Sequence, residues 1–154
     1  MSTKITWLGH AAFLFDFDGF RVVTDPYLNG NPAATTNPAD LSPDLILVTH
    51  GHNDHIGDTI EIAGKSGAPV ISNTEICDWL DERGVKKTLP LYISGERQTV
   101  FGSVKAVSAV HGSSLPDGGY GGLALGFVLT DQAGRRIYFA GDTGLFGDMR
   151  LIGE

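Results

Sequence analysis

His50-Gly51-His52-Asn53-Asp54-His55 packs three of the chain's five histidines and a carboxylate into six consecutive positions. Histidine is ill suited to an apolar core, so this density asks for a chemical use. Neutral imidazole nitrogens and a carboxylate oxygen are the donors that borderline divalent metals accept. On an extended segment, side chains at i and i+2 point the same way, so His50 and His52 can converge on one ion. Asp54 and His55 lie further on, where the chain begins to turn. The spacing therefore suggests two ions side by side, one held by His50 and His52, the other by Asp54 and His55.

Such a cluster needs rigid elements around it. Residues 44–49 form a short apolar run rich in β-branched side chains, which reads as a strand covered on both faces. Residues 56–63 have helical character. The cluster thus falls on the turn between a buried strand and a helix, the strand end where α/β sheets collect their sites. Upstream, residues 4–8, 12–17 and 20–24 read as three consecutive strands, with Asp18-Gly19 as a hairpin turn. Residues 26–43 are polar and broken by Asn-Pro steps, a long loop expected beside the site because it follows Asp25. Downstream, residues 68–72 read as a strand and 74–83 as a helix, with Thr74 as N-cap and Gly84 as the stop. Residues 97–101, 103–110, 123–130 and 136–140 read as further strands. Antiparallel strands, then β-α units, then strands again point to an α/β fold of two sheets sandwiched between helices. There is no internal repeat, and residues 1–154 are expected to form a single domain.

The histidine-aspartate run resembles the signature of the metallo-β-lactamase superfamily. Trp7-Leu8-Gly9-His10 near the start, Thr24-Asp25-Pro26, and Ala140-Gly141-Asp142-Thr143-Gly144 near the end narrow the resemblance. Together they are similar to the metal-dependent hydrolase branch that includes L-ascorbate-6-phosphate lactonase and, more distantly, the phospholipase D that cleaves N-acyl phosphatidylethanolamines. The resemblance covers essentially the whole chain and implies an αββα sandwich.

It also implies roles for residues whose own surroundings leave alternatives open. His111 ends a strand before a small-residue loop and by itself reads as a hydrogen-bonded structural histidine; the resemblance makes it the third imidazole on the ion of His50 and His52. Asp142 is either a turn aspartate beside Gly141 or, as the resemblance implies, a carboxylate bridging both ions. Asp25 either opens the Asp-Pro turn or accepts a hydrogen bond from a ligand histidine and sets its tautomer, the role implied by the resemblance. His10 is either a structural histidine in a tight turn or a polar group facing substrate. Ser113, Ser114 and the run from Gly118 to Gly122 are candidates to line the pocket. The second ion then has Asp54, His55 and the bridge, whereas the family supplies one more histidine from a later strand end. No histidine follows His111, and residues 151–154 read as an unfinished helix. The chain is therefore expected to be incomplete at its C-terminus, lacking part of the second half of the sandwich. It is expected to associate with a copy of itself or with the absent segment.

Composition bounds the function classes. The chain has 154 residues, 42% of them hydrophobic, enough for one domain with a real core. Its formal charge of −7 argues against a long nucleic-acid ligand, which needs a cationic track. No apolar run approaches a membrane span. A single cysteine, Cys77, excludes an intrachain disulfide and reads as a small buried apolar residue. The expected protein is a cytoplasmic, metal-dependent hydrolase acting on a small ester, lactone or phosphoester through a metal-activated hydroxide. Two divalent ions are expected, zinc foremost, with manganese or iron compatible with mixed ligation. Asp54 is the expected catalytic carboxylate, orienting the nucleophile while binding the second ion. Two other readings are a phosphodiesterase acting on nucleotides or nucleic acid, and a metal-binding module without catalysis because its second site is incomplete.

Overall fold

A computed structural model describes residues 2–154, and its architecture follows from the apolar patterning. The strands β1 (Thr3–Gly9), β2 (Ala12–Phe17) and β3 (Phe20–Thr24) form an antiparallel meander. Asp18 and Gly19 turn the second hairpin with φ of 52° and 97°, the left-handed pair that matches strand twist. The strands β4 (Leu45–Leu47), β5 (Val70–Ser72) and β6 (Thr88–Pro90) then add in parallel beside β3, giving six strands in sequence order. A second, antiparallel sheet has the order β10-β9-β8-β7, from β7 (Glu96–Thr99), β8 (Gly102–Ser108), β9 (Leu125–Asp131) and β10 (Arg136–Phe139). The helices are α1 (Asn53–Ile56), α2 (Thr59–Ser66), α3 (Thr74–Glu82) and α4 (Met149–Ile152).

The central strands are apolar at successive positions because both of their faces are covered. Val23, Ile46 and Val70 join Ile62 of α2 and Ile76 and Leu80 of α3 in one core. Their neighbours Val22, Leu45, Leu47 and Ile71 face the other way, against Val104, Leu125, Phe127 and Leu129 of the second sheet. Phe17 and Phe101 stack across that interface with ring centroids 4.3 Å apart. The expected two-sheet α/β sandwich is the fold observed, with α2 and α3 on the outer face of the first sheet. Among the described residues, no helix is long and apolar enough to cross a membrane.

Three local expectations are corrected. The helix placed at residues 56–63 is two helices, α1 and α2, broken at Gly57. There φ is +37°, and an added Cβ would stand 2.6 Å from the Tyr27 Cα. The N-cap of α3 is Asn73, not Thr74: the Asn73 Oδ1 accepts the Ile76 N–H at 2.9 Å. The strand β6 was not anticipated. It is three residues long, ends in a proline and forms the sheet edge, where a missing N–H costs no ladder bond.

Candidate metal centre

The parallel strands β3 and β4 end at one edge of the sheet and release Asp25 and Thr49 side by side. The Asp25 N–H donates to the Leu47 carbonyl at 2.9 Å, and the Thr49 carbonyl accepts the Leu125 N–H of β9 at 2.9 Å. The end of β4 therefore belongs to both sheets, and the histidine run emerges at their seam. Asp25 is fully buried, with a left-handed φ of 39°. Its Oδ1 accepts the Thr49 N–H at 2.8 Å, and its Oδ2 accepts the Thr49 hydroxyl at 2.7 Å. The same Oδ2 stands 2.8 Å from the His55 Nδ1.

These bonds set protonation patterns. An ionised carboxylate only accepts, so His55 carries its proton on Nδ1 and turns the Nε2 lone pair away from Asp25. The Thr49 hydroxyl spends its proton on Asp25, so its oxygen can only accept from the His50 Nδ1, 3.0 Å away. His50 then also presents a bare Nε2, which lies 3.0 Å from the His52 Nδ1. One buried carboxylate, directly and through one hydroxyl, sets the tautomers of two histidines. Thr49 was not singled out from the sequence. Its signal there was only a hydroxyl placed immediately before the first histidine.

At His50, electrostatics agree with this arrangement. Burial, followed by the neighbouring imidazoles of His55, His52 and His111, pushes the His50 pKa down to about 3, so it is a neutral donor. Burial also opposes the charged form of His55. The Asp25 hydrogen bond and the Asp25, Asp142 and Asp54 charges outweigh it and raise that pKa. Asp54 is held below the usual carboxylate range. Burial works against this shift, while its own backbone N–H and the imidazoles of His55, His10 and His50 produce it.

The remaining donors arrive from the second sheet. His111 follows β8, and Asp142 follows β10. The loops are tied together by the Thr143 hydroxyl accepting the Val110 N–H at 2.9 Å and by the Gly144 N–H donating to the Val110 carbonyl at 3.0 Å. Gly141, with φ of 60°, passes so close to Thr49 that a Cβ would stand 2.8 Å from its Cγ2. The Asp142 Oδ2 lies 3.4 Å from the His55 Nε2 and 3.6 Å from the His111 Nε2. The donor atoms fall into three overlapping groups, His50-His52-His111, His10-Asp54-His55 and His50-His55-Asp142, each within 4.8 Å.

This set fits divalent ions. Bonds of about 2.0–2.3 Å place tetrahedral donors roughly 3.3–3.8 Å apart, the scale seen here. The His55 Nε2 is buried with no hydrogen-bond partner among the described residues. Such an orphan costs roughly 1–3 kcal/mol unless something fills its lone pair, as a cation would. A cavity of about 610 Å³ lies on the outer face of the second sheet, lined by Lys105, Val128 and Phe146 among others; none of these donors lines it.

His10 sits at the tip of the β1–β2 hairpin with its Nε2 3.2 Å from the Asp54 Oδ2. The Ser113 hydroxyl accepts the Gly51 N–H at 3.1 Å and donates to the Gly121 carbonyl at 2.8 Å, stitching the loop after His111 to the histidine run. Ser114 pairs with Tyr120 in an antiparallel bridge on the exposed side of that loop. The glycine run seats the loop on α3. An added Cβ at Gly122 (φ +74°) would come within 2.6 Å of the Asn73 Nδ2, the amide that bonds the Gly121 carbonyl at 2.7 Å.

Residues 20–154 match the Beta-lactamase superfamily domain. A UPF0173 metal-dependent hydrolase of Carboxydothermus hydrogenoformans is 47% identical over 153 residues, covering 98% of this chain and 67% of the relative. A protein of the same name from Methylacidiphilum infernorum is 43% identical over 152 residues, with 98% and 67% covered. The structure is similar to that of a metallo hydrolase from Ignicoccus hospitalis, with a TM-score of 0.84 and 33% identity, covering 98% of this chain and 65% of that one. The chain thus spans about two thirds of the length of the relatives it matches. By sequence, fold and the company of these relatives, it belongs to the UPF0173 metal-dependent hydrolase family within the beta-lactamase superfamily.

Proposed function

We propose that the protein hydrolyses a small ester, lactone or phosphoester at a centre of two divalent ions on the seam between the sheets. His50, His52 and His111 hold the first ion, Asp54 and His55 the second, and Asp142 stands between them. Bound divalent ions at such a centre acidify a water and polarise the substrate oxygen. The protein's own part is to present neutral nitrogens, keep them oriented and leave the face beside Asp54 open. The Asp54 side chain is half exposed, so it can both hold the second ion and orient the attacking water. Nitrogen-rich ligation of the first ion favours zinc, while the carboxylates on the second admit manganese or iron.

The observation that carries this reading is the His55 Nε2, buried without a hydrogen-bond partner among the described residues and facing away from Asp25, with the Asp142 carboxylate 3.4 Å off. The test is to strip the full-length protein with chelator, titrate zinc and manganese by calorimetry, and assay the reloaded protein on lactones, phosphodiesters and carboxylesters. The likeness to the lactonase branch puts lactones first. Two equivalents bound, with hydrolysis restored by metal, are expected. Fewer than two would overturn the two-ion centre, and a fully loaded protein inert on all three classes would overturn the substrate assignment.

A further inference from the structure

We infer that Asn73 is a positioning residue for the first ion: through the Gly121 carbonyl and the Ser113 hydroxyl, it fixes how His111 meets His50 and His52. This rests on the metal-centre reading above. The His111 ring centroid lies 4.9 Å from that of His50 and 5.1 Å from that of His52. Two of these imidazoles come from the end of the first sheet and the third from the second. Their spacing is therefore set by neither strand alone.

The peptide between His50 and His52 carries the Gly51 N–H, which donates to the Ser113 hydroxyl at 3.1 Å. That hydroxyl has one proton to give, and it goes to the Gly121 carbonyl at 2.8 Å. The Gly121 N–H returns to the Ser113 carbonyl at 2.7 Å. A Cβ at Gly121 would stand 2.6 Å from that carbonyl oxygen and 2.8 Å from the Ser113 Oγ, so glycine lets the two arms of the loop close this far. The second lone pair of the Gly121 carbonyl takes the Asn73 Nδ2 at 2.7 Å, and the same nitrogen reaches the Leu123 carbonyl at 3.0 Å.

Asn73 is anchored independently of this loop. It follows β5 directly and is only 5% exposed, and its neighbour Ser72 donates its hydroxyl to the Val48 carbonyl at 2.8 Å. The Asn73 Oδ1 accepts the Ile76 N–H at 2.9 Å, which turns both Nδ2 protons toward the loop. Serine or aspartate would cap the helix as well, yet neither offers two N–H groups. The amide is thus required by the loop and not by the helix.

Zinc titration of the metal-free full-length protein, followed by calorimetry and by the ring NMR signals of His50, His52 and His111, tests the assignment. Asn73→Ser keeps the cap and removes both loop bonds. Ser113→Ala removes the link to Gly51. In each, the zinc equivalent that shifts those three rings should bind about 10–100-fold more weakly, the range typical of losing an outer partner of a ligand. The double variant should fall short of the product of the two effects, because both act along one connected route. Ile76→Val thins the buried core under the same helix without touching the network. It should lower the melting temperature and leave zinc affinity at the parental value. Parental affinity in Asn73→Ser, or a full product in the double variant, would overturn the relay through Asn73. So would an affinity loss in Ile76→Val equal to that in Asn73→Ser, since affinity would then track stability alone. A parent in which zinc moves none of the three rings would overturn the metal-centre reading beneath it.

Discussion

Thr49 shows how much a residue that touches no ion can decide. Its hydroxyl accepts from the His50 Nδ1 and donates to Asp25, so it relays the carboxylate's preference to a second histidine. Thr49→Val keeps the shape and removes both bonds. It should weaken metal binding about 10–100-fold, while Thr49→Ser, which retains the hydroxyl, should stay near the parent. Competitive chelation titrations measure the difference, and equal affinities for the valine and serine variants would discard the relay. Cys77 illustrates the opposite case. It is buried, and burial, its largest influence, raises its pKa to about 11. It therefore behaves as a packing residue and not as a nucleophile.

At the scale of elements, the site depends on loops held from outside it. The loop after His111 is clamped to α3 by Asp117, which accepts the Trp79 indole N–H at 2.6 Å and an Arg83 N–H at 2.8 Å. Arg83 in turn lies over the Trp79 ring at 3.9 Å. The loop after β10 has a tighter constraint, the backbone passage of Gly141 against Thr49. Gly141→Ala places a methyl group into the Thr49 side chain and strains a left-handed position. We expect a loss of about 1–3 kcal/mol, together with weaker metal binding, because Asp142 and Thr49 are displaced at once. Thermal melting of the metal-free and loaded forms reads both effects. An unchanged affinity alongside a lowered melting temperature would mean that Asp142 is not positioned through this contact.

At the scale of the whole molecule, the first sheet carries Asp25 and the histidine run, while the second carries His111 and Asp142. An ion held by donors from both sheets cross-links them. Cations that bind the folded state and not the unfolded one stabilise it by mass action, about 2.7 kcal/mol at a hundredfold excess over Kd. Chelation should therefore lower the melting temperature, and zinc or manganese should restore it. A melting curve indifferent to chelator would show that the donors do not hold the sheets together through metal.

Much of this was legible in sequence because it is local. The six positions from His50 to His55 bring their donors together whatever surrounds them. The Asp18-Gly19 turn and the two-faced apolar strands likewise report their own conformation and burial. What sequence could not decide was pairing between distant residues. His10 was equally a turn residue or a substrate contact until folding of the β1–β2 hairpin brought it against Asp54. Ser113 was a candidate to line the pocket, and its hydroxyl is engaged by Gly51 and Gly121. Thr74 has the side chain of an N-cap, but Asn73 holds the place because its amide also reaches the Gly121 and Leu123 carbonyls. The physical reason is common to all of these. Apolar periodicity states which face of a strand is buried, whereas the partner of a buried polar group depends on which strands align and in what register.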